Sequence, residues 1–313
     1  MQSQEEMLVH VARMYYERGQ TQAEIGRQFH ISRSTVSRLL QEARDRNVVR
    51  ISINYPWKRD YDLERQIFKH FQLREVRVLQ SMDRPMAEVF KGVGMLAAEY
   101  LDNCIRDGMT LGVSYGRSIA ATIQQLNPSR HVDMTVVQIL GALGSGNPLI
   151  EGPDLVREIA TLYGATYRYL FTPMIVESEQ TRNLLLQEPY VQETLELGRS
   201  ADVVILGIGA HAAESSGLIW TGYLNQKDIA FLRSRGAVGH MCAQHFDDQG
   251  RELDVTFNRR VISIGLDALR KIETVIAIAG TQEKAPAILG ALRGNYIDVL
   301  ITDDKAARYM LAA

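Results

Sequence analysis

Cysteine is scarce in this 313-residue sequence, which contains only Cys104 and Cys242. The two lie far apart and in no metal-ligand spacing, so we expect two reduced thiols and exclude a disulfide scaffold or a cysteine-based zinc site. Long apolar runs are also missing, since none reaches the roughly 18 residues that a membrane-spanning helix needs. The first thirty residues carry charges where a secretory signal needs an apolar stretch. We therefore expect a cytoplasmic chain with no membrane partner.

Neither positive nor negative charge is in large excess, because the formal net charge is −2. The charged residues are nevertheless distributed unevenly along the chain. Residues 27–59 carry eight basic and two acidic side chains, whereas residues 61–313 carry 25 basic and 30 acidic ones. A basic stretch beside an acidic remainder predicts that one small domain meets a polyanion. The length itself indicates two domains at roughly 150 residues each.

The first sixty residues predict three helices, each with apolar residues at helical spacing. The first covers about 4–17. Thr21 and Glu24 have the spacing of a capping box, which begins the second helix. Ser32 is a good N-cap for the third helix, which continues to about Arg46. Only about three residues separate the second and third helices, and so short a connection predicts a helix-turn-helix.

The third helix has the polar outer face that a recognition helix needs. Arg33 lies four residues before Ser37, and the same spacing joins Ser34 to Arg38, so these side chains share one face near the helix N-terminus. Recognition helices present such a face to base edges in the major groove, while neighbouring polar residues hold phosphates. A solvated helix face is the alternative, but the capping box and the short turn favour DNA. The predicted DNA contacts are Arg27, Arg33, Ser34, Thr35, Ser37 and Arg38.

The segment after the third helix predicts a wing and a linker. The alternating run 48–53 is typical of a strand, which would make the domain a winged helix-turn-helix. Pro56 ends that strand, and charged neighbours keep the following segment in water. We therefore expect a DNA-binding domain at 1–54, a linker at 55–61 and an effector-binding and oligomerisation domain at 62–313.

The remaining residues predict a doubly wound α/β domain. Short apolar runs alternate with helical stretches, as expected for a mainly parallel sheet that is covered on both faces. A short helix also precedes the first strand, and its stripe of Leu63, Ile67 and Phe71 is too small to be a core by itself, so we expect it to take part in self-association. The predicted strands are 75–79, 109–114, 134–140, 166–170, 203–208, 237–243, 275–279 and 299–301. The predicted helices include 117–126, 153–163, 180–198, 225–235 and 283–293.

Four loops of this domain are rich in glycine or small residues: 112–118, 141–146, 207–210 and 279–284. Ligands bind outside the carboxyl ends of strands in such sheets, and glycine lets the backbone approach an anion closely. Each loop alone is most simply a turn. Four together, with Arg117 and Lys284 at predicted helix starts, favour an anionic small molecule. None has the dinucleotide or P-loop spacing.

Catalytic groups are few. His211, His240 and His245 lie near strand ends, but neither a serine elbow nor a paired-histidine metal spacing accompanies them. His240 is equally compatible with a pocket and with a structural role, whereas His245 is better explained as structural. The tyrosines at 163, 167 and 169 indicate packing around a strand edge. No catalytic residue, metal or cofactor is predicted.

These features together resemble the SorC family of bacterial sugar-responsive transcription regulators, which is grouped with DeoR-type sugar-binding regulators. The resemblance covers nearly the whole chain, and its motifs form a long, ordered set. In the N-terminal part they are Tyr15, Tyr16, Gly19 and the runs 21–25 and 31–40. In the C-terminal part they are the runs 112–118, 201–209, 236–239, 246–247 and 291–297, together with Lys284.

The resemblance implies an N-terminal DNA-binding domain and a C-terminal domain similar to sugar-phosphate isomerases, commonly tetrameric, that binds a sugar, polyol or sugar phosphate. One departure from the family pattern is His240, which stands where an acidic residue would accept bonds from ligand hydroxyls. A histidine can also donate, so the orientation or identity of the ligand differs. The implied effector contacts are Gly116, Arg117, Ser118, Gly141, Gly144, Ser145, Gly207, Gly209, His240 and Lys284.

The function predicted from these observations is an effector-controlled transcription regulator of a carbohydrate operon. Its partners would be double-stranded operator DNA, a small carbohydrate-like effector and further copies of the chain, because two half-sites need two recognition helices. One alternative is a sugar-phosphate isomerase or deaminase with a DNA-binding appendage. Another is a constitutive DNA-binding protein whose C-terminal half is purely structural.

Overall fold

The computed structural model describes residues 4–46, 48–49, 57–82, 84–144, 147, 150–210 and 223–313. The chain divides into two compact units, Met1–Pro56 and Trp57–Ala313. Among the described residues, no helix is both long and apolar enough to cross a membrane. Residues 50–53 of the predicted wing and residues 55–56 of the predicted linker lie outside the described residues.

The N-terminal unit contains three helices, α1 (Gln4–Tyr16), α2 (Gln22–Phe29) and α3 (Arg33–Asp45). The capping box before α2 is formed, because the Thr21 amide donates to Glu24 Oε2 at 2.8 Å and the Thr21 hydroxyl accepts from the Glu24 amide at 3.3 Å. Apolar side chains from all three helices form one core, whose buried members are Val11, Met14, Ile25, Val36 and Leu40. The predicted helix-turn-helix is thus present.

A glycine sets the close approach of the turn between α2 and α3. A Cβ atom at Gly26 would lie 2.7 Å from the Ile31 carbonyl oxygen, so a larger residue there forces the turn away from α2. The turn itself passes through His30 at a φ of 54°, and the Ser32 hydroxyl then caps α3 by accepting from the Thr35 amide at 3.1 Å. These contacts determine the angle at which α3 leaves the turn.

The C-terminal unit contains a seven-stranded sheet in which all neighbours are parallel. Its strand order is β1-β10-β9-β5-β2-β3-β4. The strands are β1 (Glu75–Leu79), β2 (Thr110–Val113), β3 (Thr135–Gln138), β4 (Thr166–Arg168), β5 (Val203–Gly207), β9 (Thr274–Ile278) and β10 (Val299–Asp303).

Helices cover both faces of this sheet, as the apolar strands predict. Alternate residues along β5 and β9 enter two different cores, which shows that the strands are buried on both sides. Helices α5 (Met86–Cys104), α6 (Arg117–Ile123) and α7 (Gly152–Tyr163) pack on one face. The remaining helices are α4 (Tyr61–Phe71), α8 (Glu179–Leu185), α9 (Pro189–Arg199), α10 (Gln226–Ser234), α11 (Leu266–Leu269), α12 (Ala285–Arg293) and α13 (Asp304–Ala312), with short 3₁₀ turns at Asn258–Arg260 and Gln282–Lys284.

A second, antiparallel sheet stands apart from the first. It consists of β6 (Gly209–Ala210), β7 (Gly239–Met241) and β8 (Gln244–Phe246). The prediction of one continuous strand at 237–243 was therefore wrong. The chain reverses at Cys242 and Ala243, which have φ angles of 48° and 62°. These residues are not the glycine or asparagine that usually mark such turns, so the apolar run gave no sign of the reversal.

Two further expectations need correction. Residues 57–61 are not a free linker, because Arg59 pairs with Leu79 of β1 and forms a salt bridge to Glu64 at 2.8 Å. The stripe on α4 is not free for self-association either, since Leu63 and Ile67 are buried in the core of their own unit. Sequence spacing shows that a face is apolar but not which neighbour covers it.

Helical assignments were incomplete. The predicted helix 180–198 is two helices, α8 and α9, because Pro189 lies in the first turn of α9 and begins a new helix there. The 19-residue helix α5, which was not among the predicted helices, contributes eight buried residues to the unit. One of its side chains, Phe90, lines the candidate site.

Candidate functional site

Three exposed cations lie on the helix-turn-helix, one on α2 and two on the outer face of α3. Arg27, Arg33 and Arg38 are exposed, and none of them forms a salt bridge within the described part of the chain. By contrast, Arg44 donates to the Tyr16 hydroxyl at 2.7 Å and Arg46 is paired with Glu42 at 2.6 Å. The predicted DNA-contacting arginines are thus the ones whose guanidinium groups remain available for phosphates or base edges.

The three hydroxyl residues predicted to contact DNA, Ser34, Thr35 and Ser37, differ in the hydrogen bonds that they form within the chain. The Ser32 hydroxyl lies 2.8 Å from the hydroxyls of both Ser34 and Thr35, so these two groups belong to the cap of α3. Ser37 is exposed one turn further along the helix. Thr35 is half-buried, and its first role is to begin the helix.

A cavity of about 70 Å³ lies in the C-terminal unit at the carboxyl ends of β2, β5 and β9. All four predicted loops contribute to its lining, although Ser114 and Lys284 are 170 positions apart in sequence. The parallel strand order brings them together, because β9, β5 and β2 are neighbours. The predicted residues that line the cavity are Gly116, Arg117, Ser118, Gly207, Gly209, His240 and Lys284.

Lys284 is the most unusual cation of this cavity. Its residue is only 7% exposed, and no hydrogen bond or salt bridge of its ammonium group is found in the described ranges. Burial is the main cause that lowers the pKa of Lys284 to about 8; the charge of Arg117 contributes to this lowering, and Asp303 opposes it in part. A buried ammonium group that forms no salt bridge carries a desolvation cost that an anionic ligand would offset.

Arg117 begins α6 and lines the same cavity. Its guanidinium carbon lies 5.4 Å from the centroid of the Phe90 ring, which comes from α5. Partial burial also lowers the pKa of Arg117, although an arginine remains charged at any ordinary pH. The cavity is therefore approached by two positive charges, and no carboxylate is found among its described lining residues.

His240 lines the cavity, whereas its sequence position was equally compatible with a pocket and with a structural role. It pairs with Gly209 between β7 and β6, and a Cβ atom at residue 209 would lie 2.1 Å from His240 Nε2. The absence of a side chain at Gly209 therefore gives the imidazole its place. His245 has the structural role expected of it, because it is fully buried and its backbone amide donates to Asn258 Oδ1 at 2.8 Å.

The loop at 141–145 contributes to the cavity through a different residue from those predicted. Gly141 is not among the lining residues, and a Cβ atom there would meet the Pro173 carbonyl oxygen at 2.4 Å, so this glycine serves close packing of two loops. Gly144 is exposed at a φ of 69°, which makes it a turn residue. Leu143 between them lines the cavity instead. Ser145 lies outside the described residues, as does His211.

The apolar wall of the cavity was not predicted. Tyr115, Leu143 and Ile208 lie within the predicted glycine-rich loops but were not singled out, whereas Phe90 comes from a helix that was not predicted. The polar residue Ser114, which directly follows β2 in loop 112–118, was missed as well, although a hydroxyl at the carboxyl end of a parallel strand indicates a ligand site. The lining residues missed were Phe90, Ser114, Tyr115, Leu143, Ile150, Ile208 and Cys242.

The C-terminal unit matches a family model. Residues 55–312 fit the model named Sugar-bind, which describes a sugar-binding domain. The chain belongs to this family. Its residues 10–46 also fit the model of region 4 of sigma-70, which covers the helix-turn-helix.

Similar proteins share both units of the chain. It is 30% identical over 316 residues to the sorbitol operon regulator of Klebsiella pneumoniae, with 97% of each chain covered. It is 29% identical over 308 residues to the deoxyribonucleoside regulator of Bacillus subtilis, with 98% of this chain and 97% of the other covered. The crystal structure of the full-length regulator SorC from Klebsiella pneumoniae superposes with a TM-score of 0.75 at 28% identity, covering 99% of this chain and all of the other.

These similarities confirm the resemblance to the SorC family and the predicted combination of a helix-turn-helix with a doubly wound α/β domain. The chain is a transcription regulator with a DNA-binding region and a sugar-binding domain. The residues that carry out these functions in this chain are not identified by the similarities, so they must be argued from the geometry.

Proposed function

We propose that this regulator binds operator DNA through α3 and is controlled by an anionic sugar or polyol that enters the cavity at Lys284. The observation that carries the proposal is a buried ammonium group that forms no salt bridge with the described residues, in a cavity whose described lining lacks carboxylates. An anion there would gain a strong charge-assisted interaction, because the lysine is already desolvated.

The other polar groups of the cavity suit a hydroxylated ligand body. Ser114 and Ser118 supply hydroxyls that both donate and accept, and His240 of β7 supplies an imidazole. Phe90 and Ile208 provide apolar walls for the carbon skeleton. A phosphorylated sugar or polyol, or a sugar acid, combines the anion with this body. The printed names of the relatives, which refer to sorbitol and to deoxyribonucleosides, support a carbohydrate-like class.

Regulation requires that the effector bind one conformation better than another, because equal affinity for both shifts nothing. The effector cavity lies wholly in the C-terminal unit and α3 in the N-terminal unit. We expect the working form to contain at least two copies of the chain, since one recognition helix reads one half-site. We also expect it to have no enzymatic activity of its own, in keeping with relatives that are named as regulators.

The proposal is tested by thermal unfolding of the full chain with sugars, polyols and their phosphates, with inorganic phosphate as the simplest anion. A stabilising effector should lose its effect in Lys284→Gln and keep it in the matched variant Lys271→Gln, whose lysine is exposed away from the cavity. Equal stabilisation of both variants would place the anion elsewhere. Turnover of a sugar phosphate by the wild-type chain would instead support the isomerase or deaminase alternative.

A further inference from the structure

The turn that carries Lys284 contains a strained residue. β9 ends at Ile278, and the 3₁₀ turn Gln282–Lys284 leads from there into α12. Thr281, directly before this turn, has a φ of 85°, which a β-branched residue rarely adopts. The Lys284 amide donates to the Thr281 carbonyl at 3.1 Å, so the strained residue and the lysine belong to one hydrogen-bonded turn. Because strain of this kind persists only where surrounding contacts impose it, the turn depends on a contact from outside it.

The carboxylate of Asp303 supplies such a contact. The Thr281 amide donates to Asp303 Oδ2 at 2.5 Å, and the Ala306 amide donates to Oδ1 at 2.9 Å. Asp303 is the last residue of β10, the neighbour of β9 in the sheet, and it is only 1% exposed. Burial raises the pKa of its carboxyl group, and these amide bonds act against that rise. One buried side chain therefore ties the Lys284 turn to the start of α13.

Gly280 gives this carboxylate its place. A Cβ atom at residue 280 would lie 2.6 Å from Asp303 Oδ2, so a larger residue would push the carboxylate away from the Thr281 amide. Loop 279–284 was predicted as one of four loops in which glycine lets an anion approach. The anion that Gly280 admits is a carboxylate of the chain itself. The loop thus contributes Lys284 to the effector cavity and uses its glycine for support.

Asp303 supports Lys284 from outside the effector cavity, since it is not among the described residues that line the cavity. Burial and the charge of Arg117 lower the pKa of Lys284, whereas the charge of Asp303 raises it. A carboxylate that is set back from the cavity favours the charged ammonium group without occupying the place of an anionic ligand. The other titratable groups in the described cavity lining are Tyr115, Arg117, His240 and Cys242.

We propose that Asp303 is a positioning residue of the effector site, whose carboxylate fixes the turn that presents Lys284 to the anion of the effector. The inference rests on the proposed function, because it requires that Lys284 bind this anion. Without the contact to Asp303, Thr281 relaxes towards an ordinary backbone conformation, and Lys284 moves with the turn that both residues share. Asp303 itself does not touch the effector.

Two variants separate the position of the carboxylate from its charge. Asp303→Asn keeps one side-chain oxygen, so it must release one of the two backbone amides, and it removes the charge. Gly280→Ala displaces the carboxylate but leaves it charged. We expect each to lower the affinity for sulfate roughly ten-fold, because the lysine moves with its turn. Asp298→Asn is the matched control and should keep the wild-type affinity, since this half-buried carboxylate accepts from the Val275 amide at 2.8 Å at the opposite end of β10.

The pH dependence of sulfate binding gives a second measurement, which a general loss of packing would not change. Sulfate is the probe because its own charge stays constant from about pH 6 to about pH 9, so that calorimetric titration across this range reports on the protein. In Asp303→Asn the fall in affinity should begin at a lower pH than in the wild type, since the carboxylate no longer raises the pKa of Lys284. Gly280→Ala, which retains the charge, should keep the wild-type pH dependence.

Unfolding midpoints verify that each variant is folded. Wild-type sulfate affinity in both Asp303→Asn and Gly280→Ala would overturn the inference, and so would an unchanged pH dependence in Asp303→Asn. Lys284→Gln distinguishes these results from failure of the proposed function. If this variant binds sulfate as well as the wild-type chain does, the lysine does not meet the anion, and the proposed function fails.

Discussion

The imidazole of His240 occupies the space that a side chain at Gly209 would fill. A Cβ atom at residue 209 would lie 2.1 Å from Nε2 and 2.2 Å from Cε1, although the two residues are 31 positions apart in sequence. The antiparallel pairing of β6 with β7 creates this contact. It makes the place of the histidine in the cavity depend on a glycine on another strand.

Gly209→Ala is expected to displace His240 and to reduce effector affinity, with a loss of stability of about 1–3 kcal/mol from overpacking. Gly207→Ala is the matched control for stability, because the nearest atom to its Cβ position is 3.9 Å away. Calorimetric titration and thermal unfolding of both variants provide the measurements. Comparable destabilisation by the two substitutions would show that the imidazole adjusts freely.

The pKa of Lys284 predicts how effector affinity depends on pH. Its pKa in the folded chain is lowered to about 8, so the ammonium group begins to lose its proton as pH rises through that value. An anionic effector binds best to the charged lysine and takes up a proton on binding above pH 8. We expect affinity to be constant below about pH 7 and to fall as pH rises through 8 and above.

Isothermal titration in buffers of different ionisation enthalpy measures both the affinity and the proton uptake. In Lys284→Met the decline around pH 8 should disappear together with most of the affinity. A wild-type affinity that stays level from pH 7 to pH 9 would show that Lys284 does not meet the anion. The lowered pKa also predicts that the effector-free fold gains stability as pH rises from about 8 towards the ordinary lysine value, because the unfolded chain holds more protons there.

Arg33→Ala and Arg38→Ala test the DNA-reading face. Each should weaken operator binding by about 1–3 kcal/mol if it contacts a base, with relaxed specificity at one position. A phosphate contact would instead weaken all sequences alike and reduce the salt dependence. Fluorescence anisotropy with operator and unrelated DNA distinguishes these results. Arg13→Ala, which removes an exposed arginine already paired with Glu17, is the control and should bind normally.

Gly26→Ala tests the turn before the recognition helix. The added methyl group would meet the Ile31 carbonyl oxygen at 2.7 Å, so the turn must open and α3 must change its angle. We expect operator affinity to fall at least ten-fold, or about 1.4 kcal/mol, while effector stabilisation of the C-terminal unit persists. An alanine variant with normal operator binding would mean that the turn tolerates a wider separation of the helices.

Local patterns were enough to predict the N-terminal unit. The capping box of Thr21 and Glu24, the N-cap Ser32 and the apolar spacing of the helices all act within a few residues, so the helices and their turn follow from neighbouring positions. The strands of the large sheet were predicted for the same reason, since continuous apolar runs of this length are typical of strands buried on both faces. Turns without a glycine signal, such as Cys242–Ala243, were missed.

The composition of the effector cavity depended on tertiary structure. Sequence alone marked Gly141 and Gly116 as equivalent candidates, but the strand order placed Gly116 at the cavity and Gly141 against Pro173. Phe90, His240 and Lys284 come from elements that meet only because β9, β5 and β2 are neighbours and α5 covers one face of the sheet. Periodicity and capping reflect hydrogen bonds and burial within one element, whereas the residues that share a cavity are decided by long-range packing of the whole unit.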